Sequence, residues 1–326
     1  MPKHYGKLAI KRKRSHTKAL REVMSTKNKG LSMTKILSIA LLLLFATSCQ
    51  NELKTQAPKQ ASVQEKITSK YKSLGYELVW QEEFNSDGSV ESSKWDFEQG
   101  FQRNHELQWY QEDNAFCEDG KLFIEGRREM KANPSFKAKA NNWKEKRKNI
   151  YYTSSCLTSK QSWKYGRFEI KARLKAADGL WPAIWFLGTE GQWPSNGEID
   201  LMEYYNDMIL ANACWGTKRP YQAKWDSSKT PVKDFKDPDW DKKFHIWKMD
   251  WDKDSIKLFL DDQLLNTIDL KKAINPDTSR GPKEPFQQAH YLLLNLAIGG
   301  TNGGDPSSTP FPNQFEIDYV RVYQKQ

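Results

Sequence analysis

From Tyr76 to the C-terminus the chain repeats short runs of β-branched and aromatic residues, and Gly, Pro, Asn and Asp separate one run from the next. Residues 168–174 show the pattern well, because every second side chain is apolar and the three between them are charged. Such alternation is typical of a strand with one buried face. Many strands with turn residues between them predict an all-β fold, a β-sandwich or jelly roll. Helical periodicity is scarce and reaches one or two turns at 270–276.

The run NGEIDLMEYYND at 196–207 departs from simple alternation, because Glu198, Asp200 and Glu203 are spaced two and then three residues apart. A helix is disfavoured, since the apolar residues form no helical stripe. In a plain strand Glu203 would lie on the face opposite to the other two acids, and a β-bulge would return it to their face. A surface strand with solvated acids is the alternative interpretation. The apolar residues between the acids favour a buried, bulged strand whose other face lines a cleft.

Retaining glycoside hydrolysis is a reaction that needs this arrangement of acids. It uses two carboxyl groups about 5–5.5 Å apart, one as nucleophile and one as general acid and base. A third acid between them can share a proton with the nucleophile and raise the pKa values of its neighbours by charge repulsion. On a bulged strand Asp200 occupies the middle position.

The segment GEIDLME resembles the signature of glycoside hydrolase family 16 in its E-x-D-x-x-E form. The resemblance covers roughly residues 76–326 and is closest to the laminarinase-like branch. Its further blocks, in matching order, are HELQWYQEDNAFCEDGKLFIEGRRE (105–129), KYGRFEIKARL (164–174), GLWPAIWFLG (179–188), FHIWKMDWDKDSIKLFLDD (244–262) and a last block within 285–324. The resemblance implies a curved β-sandwich jelly roll with a substrate cleft on its concave face.

By motif position, the resemblance implies that Glu198 is the nucleophile, Asp200 its helper and Glu203 the general acid and base. It also implies sugar contacts near these acids. Sugars present apolar C–H faces to aromatic rings, so several of the thirteen Trp residues suit a cleft. The substrate-binding residues expected from the matching blocks and from the strand after the acids are Asn104, Trp181, Trp185, Trp193, Trp215 and Asn295.

Two features depart from the glucanase pattern. Where laminarinases usually carry YTSARL, this chain has YTSSCL, with Cys156 in place of Arg, which resembles agar-cleaving relatives. The strand after the acids, within 209–226, lacks the His expected of a glucanase and contains Trp215. We expect cleavage of β-1,3- or β-1,3-1,4-glucan of the laminarin type. The alternative is an endo-β-galactanase acting on agar, porphyran or poly-N-acetyllactosamine glycans.

A non-catalytic glycan-binding lipoprotein on the same fold is a rival hypothesis from another class. The intact acid triplet argues against it, because a binding protein needs no acid of raised pKa beside a nucleophile. We expect no cofactor for catalysis. The family resemblance implies a structural calcium at Glu83, Gly120 and Asp318, and a hydrogen-bonded pair without metal is the alternative. A polysaccharide is the expected partner, and the expected oligomeric state is a monomer.

The net charge of +10 is confined to the N-terminal end. Residues 1–32 hold ten Lys or Arg and one acid, and after residue 49 the chain has 40 basic and 40 acidic residues. A neutral body offers no broad surface to a phosphate backbone, so no nucleic acid partner is expected. The basic segment 1–32 is an N-terminal extension. It is either a wrongly assigned start, with Met33 the real one, or a long n-region.

Residues 33–49 predict a lipoprotein-type signal peptide. An apolar run too short to span a bilayer precedes ATSC, which resembles a bacterial lipobox and would place a lipid on Cys49. An ordinary secretory signal is the alternative. Residues 50–74 are polar and predict a flexible tether, which leaves 75–326 as the catalytic domain. The protein is therefore expected to be exported and lipid-anchored to a bacterial membrane, at the outer membrane or the cell surface.

The cysteine content gives no disulfide framework. After Cys49 the chain has Cys117, Cys156 and Cys214, an odd number at irregular spacing. One disulfide is permitted in an oxidising compartment, but buried free thiols are the expected state.

The lipobox predicts that Cys49→Ala moves the protein from the membrane to the soluble fraction, because its lipid can no longer be attached. Several acyl chains hold a lipoprotein firmly where one chain binds weakly. Cell fractionation followed by immunoblotting measures the distribution of the wild type and the variant. A wild type that is already soluble, or a mature N-terminus that lies before Met33, would contradict this prediction.

Overall fold

The alternating runs form strands in the computed structural model, which describes residues 71–326. In chain order the strands are β1 (Tyr76–Glu82), β2 (Trp95–Phe97), β3 (Gln108–Tyr110), β4 (Ala115–Glu118), β5 (Lys121–Ala132), β6 (Asn149–Ser154), β7 (Cys156–Trp163), β8 (Gly166–Arg173), β9 (Leu180–Gly188), β10 (Glu198–Tyr205), β11 (Met208–Gly216), β12 (Ala223–Pro231), β13 (His245–Trp251), β14 (Ser255–Leu260), β15 (Gln263–Asp269), β16 (His290–Ile298) and β17 (Asn313–Lys325). Helix is limited to short turns, among them α1 (Trp143–Lys146) and α2 (Gly300–Gly303).

The strands build two sheets. The larger sheet has the order β15-β14-β13-β8-β17-β5-β6-β3, with β1 paired to β17 and β4 to β5. The smaller sheet has the order β12-β11-β10-β9-β16-β7-β2. Neighbouring strands of the smaller sheet are antiparallel throughout. The predicted all-β sandwich is confirmed, and the acid-bearing strand β10 lies inside the smaller sheet with a partner on each side.

The core lies between the two sheets and takes alternate side chains from many of the strands. In β8 of the larger sheet, Phe168 and Ile170 are fully buried. In β10 of the smaller sheet, Ile199 and Leu201 belong to the same apolar cluster. Removal of these side chains from water is the main force that holds the sheets together. The remaining side chains of the smaller sheet therefore face away from the core, and the acids are among them.

The fold begins earlier than the sequence analysis predicted. Tyr71 is buried in a helical turn, with its ring 4.9 Å from that of Tyr323 and 4.8 Å from the guanidinium carbon of Arg167. Its hydroxyl donates a hydrogen bond to Glu169. The predicted start of the folded domain at residue 75 is therefore too late. A single aromatic residue in a polar segment carries no periodic pattern from which its packing could be read.

The predictions for the N-terminal end lie outside the described residues. These are the basic extension 1–32, the signal segment with Cys49, and the tether as far as residue 70. Export, lipid anchoring and the monomeric state stay predictions. In the chain from Tyr71 onward, no helix is long and apolar enough to cross a membrane.

Cys117, Cys156 and Cys214 are buried free thiols, as the sequence analysis predicted. Burial raises the pKa of the Cys117 thiol to about 11 and holds the pKa values of the other two well above the ordinary range. Thiols that stay protonated are poor nucleophiles, so all three act as small packing groups.

Candidate active site

A glycine immediately precedes the acid-bearing strand. Gly197 has a φ of +81°, a conformation that side chains other than glycine rarely adopt. A Cβ atom there would lie 3.0 Å from Pro285 and 3.2 Å from Phe286. The carbonyl oxygen of Gly197 accepts a hydrogen bond from the amide of Gly188, at 3.1 Å. The close packing of this turn sets the direction in which β10 leaves it, beginning at Glu198.

Strand β10 carries the bulge that the acid spacing predicts. Its pairing with β11 slips between Asp200 and Glu203, where two residues of β10 lie opposite one residue of β11. Leu201 and Met202, the two residues between these acids, both lie in the core between the sheets. Glu198, Asp200 and Glu203 therefore share the opposite face, and the bulged strand is confirmed over the plain surface strand.

Glu198 is a half-buried carboxyl group that accepts a short hydrogen bond. The indole Nε1 of Trp193 donates to its Oε2 at 2.6 Å. Burial raises the pKa of Glu198, while the Trp193 bond, the positive charge of Arg103 and a hydrogen bond with Asp200 act in the opposite direction. These three interactions favour the carboxylate form, which is the form that a nucleophile needs.

The surroundings of Asp200 favour its protonated form. Burial first, and then the charges of Glu203 and Glu198, raise its pKa well above the ordinary range. A protonated Asp200 can donate its proton in the hydrogen bond with Glu198. Within the described chain its Oδ2 atom has no hydrogen-bond partner. These surroundings favour a proton on Asp200, beside Glu198.

Glu203 is poised between its two protonation states. Burial raises its pKa to about 7, although hydrogen bonds from Trp181 and Asn212 oppose the shift. The Trp181 Nε1 atom donates at 2.9 Å and the Asn212 Nδ2 atom at 3.3 Å. An acid with a pKa near neutrality can give a proton in one step and take one in the next. Glu203 thus has a different set of donors from Glu198, which is bonded by Trp193.

The tryptophans predicted to contact sugar near the acids differ in their exposure to solvent. Trp193 is 40% exposed beside Glu198, where a sugar ring could contact it. Trp181 and Trp185 are buried. Trp181 holds Glu203, and Trp185 donates from Nε1 to Asn295 Oδ1 at 2.7 Å. They support the site and expose little of their rings.

Asn295 and Asn104 are placed differently. Asn295 donates to the hydroxyl of Tyr110 at 3.1 Å, which continues the polar chain from Trp185. Trp185 is itself paired with Asp200 across β9 and β10. Asn104 donates to Glu106 at 3.3 Å, and no described hydrogen bond joins it to the acids. Asn295 therefore belongs to the network of the site, and the role of Asn104 stays a prediction.

The expectation of a sugar contact at Trp215 is wrong. Trp215 is 3% exposed and packs edge-on against Phe286, with ring centroids 6.3 Å apart. It belongs to the core cluster, on the face of β11 opposite to Asn212, which bonds Glu203. The sequence of one strand did not show which of its faces meets the core.

Arg103 is a residue of the site that the sequence analysis missed. Its guanidinium carbon lies 5.0 Å from the ring centroid of Trp185, and its side chain forms an ion pair with Glu98. Its charge also reaches Glu198 and Cys156, two groups that are remote from it in sequence. Arg103 lies in a loop outside the acid motif, so no local pattern indicated it.

The residues expected to hold calcium do not fit that ion. Glu83 binds Arg321 through two hydrogen bonds of 2.7 Å, and Asp318 forms an ion pair with Lys171 at 2.5 Å. Their carboxylates are already neutralised by bases of neighbouring strands. Among residues 71–326 no group of three or more His, Cys, Asp or Glu is placed to hold a metal ion. This arrangement matches the alternative of paired side chains, and no step of the chemistry is assigned to calcium.

Three acids on one face of a β-sandwich are an arrangement that suits glycoside hydrolysis. The chain belongs to family 16 of the glycosyl hydrolases, whose family model matches residues 101–321. The predicted family and the predicted class of O-glycosyl hydrolase are confirmed.

Known relatives support the same assignment. The beta-glucanase of Rhodothermus marinus is 35% identical over 273 residues, which are 76% of this chain and 85% of that protein. The glucan endo-1,3-beta-glucosidase A1 of Niallia circulans is 31% identical over 77% of this chain, which spans 38% of the length of that protein.

A solved structure is also similar, from work in which prominent members of the human gut microbiota express endo-acting O-glycanases to initiate mucin breakdown. It is 33% identical with a TM-score of 0.70, and the match covers 77% of this chain and 92% of that one. The relatives thus share the fold and differ in the glycan for which they are described.

The hydrogen bond from Trp181 predicts a measurable pH effect. Trp181→Phe keeps an aromatic ring but removes the N–H donor, so the pKa of Glu203 should rise from about 7. A general acid works while protonated, so kcat/KM of the wild type should fall as pH rises through about 7. The kcat/KM of Trp181→Phe should fall at a higher pH. The pH dependence of kcat/KM measures both. Trp80→Phe, remote from the acids, is the control, and an unshifted alkaline limb in Trp181→Phe would refute the assignment.

Proposed function

We propose that this protein cleaves internal bonds of a β-linked polysaccharide with retention of the anomeric configuration. The observation that carries the proposal is the bulge of β10, which brings three carboxyl groups to one face in different protonation environments. In this proposal Glu198 is the nucleophile and Glu203 the general acid and base. Asp200 shares its proton with Glu198.

In the first step the carboxylate of Glu198 attacks the anomeric carbon, and the bond from that carbon to the glycosidic oxygen breaks. Glu203 donates its proton to this oxygen, so the departing sugar leaves as a neutral alcohol. An ester between Glu198 and the remaining sugar results, and Glu203 becomes a carboxylate. A pKa of about 7 supplies protonated Glu203 at neutral pH.

In the second step water attacks the anomeric carbon of the ester from the face that the first sugar left. The carboxylate of Glu203 takes one proton of this water, and the bond to Glu198 breaks. The free sugar end leaves with its original configuration, since two inversions have occurred. Both acids return to their starting protonation states, so no further reactant is consumed.

The environment of Glu198 makes these steps compatible with its partial burial. An isolated buried carboxylate is costly unless its oxygens accept hydrogen bonds. Trp193 donates at 2.6 Å, and the protonated Asp200 supplies a second donor. The two donors stabilise the anion before attack and again when the ester breaks, while Glu203 in between changes its protonation state.

The mechanism predicts that Glu198→Gln abolishes hydrolysis and changes the free energy of unfolding by about 1 kcal/mol or less, because the amide keeps the shape but cannot attack. Glu118→Gln, an exposed acid on β4, is the matched control and should keep full activity. Proton NMR of the first product from a β-linked substrate should show the β-anomer. Activity in purified Glu198→Gln would exclude it as nucleophile, and an initial α-anomer would exclude retention.

The first substrate that we propose is a β-1,3-linked glucan, with mixed β-1,3-1,4 linkages as a variant. The support comes from relatives described as glucanases, one of which is 35% identical over 76% of this chain. The acids and their donors Trp181 and Trp193 are compatible with any β-linked sugar at the point of cleavage. The glucan assignment therefore depends on the relatives and on the matching sequence blocks.

A second candidate is a β-galactosyl linkage, as in a poly-N-acetyllactosamine chain. Its support is a relative described as a keratan-sulfate endo-1,4-beta-galactosidase, from Sphingobacterium multivorum, which is 25% identical over 86% of this chain. The face beside Trp185 also differs from the laminarinase pattern, because Cys156 replaces an arginine and Arg103 lies over the Trp185 ring. Residues that line the cleft in this way select the sugar epimer whose hydroxyl groups pair with the buried polar groups of the site.

A comparison of soluble products from laminarin, mixed-linkage glucan and poly-N-acetyllactosamine tests the two substrates. We expect oligosaccharides from laminarin and a strong preference for one sugar class, because the wrong epimer leaves polar groups of the site unpaired. The Glu198→Gln protein is the control for contaminating activity. Inertness on both glucans together with cleavage of the galactosyl chain would overturn the first candidate in favour of the second.

A further inference from the structure

The edge strand β12 adds a tryptophan to the face that carries the acids. Trp225 is 45% exposed. In the described chain, its indole makes no ring stacking, cation–π contact or hydrogen bond, in contrast to Trp215 of the neighbouring strand, which is packed in the core. An aromatic side chain of this size usually finds a partner when the fold can supply one. Trp225 is therefore available to a ligand.

Strand pairing places Trp225 in line with the proposed nucleophile. Glu198 is paired with Cys214 across β10 and β11, and Cys214 with Trp225 across β11 and β12. Side chains of directly paired residues point to the same face of a sheet. Two strand spacings separate Trp225 from Glu198, about 9.6 Å between their backbones.

A second row confirms that the faces match. Asp200 is paired with Asn212, and Asn212 with Ser227 of β12. Asn212 donates to Glu203, so this row faces the acids. The charges of the three acids also raise the pKa of Cys214, after burial as the larger cause, which places its thiol near them.

We propose that Trp225 forms a distal sugar subsite of the cleft, where its ring stacks on the apolar C–H face of a pyranose unit in the same β-linked chain. This inference rests on the proposed function, which supplies the glycan. A chain that crosses the strands from Glu198 towards β12 reaches Trp225 after Cys214, which is fully buried and offers no surface of its own. Trp225 then binds sugar units remote from the bond that is cleaved and favours long chains over short ones.

The proposal is tested by binding to the Glu198→Gln protein, which the mechanism predicts cannot cleave the ligand. The probes are a long and a short laminarin oligosaccharide and a long and a short poly-N-acetyllactosamine oligosaccharide, titrated by calorimetry. Adding Trp225→Ala should weaken binding of the long probe about tenfold, as loss of a dominant aromatic contact can do. The short probe should lose less, and Trp225→Phe should restore most of the affinity.

Phe123→Ala is the matched control, since this aromatic side chain lies on the outer face of the larger sheet. It should leave the affinity for every probe unchanged. If the Glu198→Gln protein and its double variant with Trp225→Ala bind the long probe with equal affinity, the subsite is overturned. It is also overturned if no probe binds. A wild type that binds but does not hydrolyse a probe would overturn the proposed function alone, because the binding measurement does not depend on turnover.

Discussion

One face of strand β10 packs in the apolar core, and the other carries the three acids. The extra residue between Asp200 and Glu203 allows both faces to keep their side chains in place. Leu201 and Met202 are buried in the core. In a strand of strict alternation, one of them would face the acids, or Glu203 would face the core without a partner. Burial of an unpaired acid is costly, and an exposed large apolar side chain loses the free energy gained by its removal from water. The bulge avoids both costs and creates the acidic face.

Once the acids share a face, their neighbours decide how they differ. Burial raises the pKa values of all three, so burial alone would make them alike. Trp193 donates to Glu198 and Trp181 to Glu203, while Asp200 is surrounded by the charges of the other two. These donors come from separate strands and loops. The proposed division into nucleophile, helper and acid therefore depends on the surrounding residues, and the acid motif only supplies the carboxyl groups.

The rest of the cleft face varies around this common centre. On the β16 side of the acids, Trp185, Asn295 and Tyr110 form a continuous polar chain, and Arg103 lies over the Trp185 ring. On the β12 side, Trp225 lies in the same row of paired residues as the proposed nucleophile, and its indole is partly exposed. Under the proposed function, reaction chemistry and glycan choice thus reside in different residues. This separation is consistent with relatives that share the fold and are described for different glycans.

The sequence by itself determined the β-sandwich and the bulged acid strand, because both follow from side-chain periodicity within a few residues. Only the tertiary structure decided that Trp225, and not Trp215, lies on the acid face, since that depends on pairing between β10, β11 and β12. It also brought Arg103 to the site and paired Glu83 with Arg321, which removed the expected calcium ligand. Contacts between distant segments depend on register and packing, and neither is visible in a local pattern.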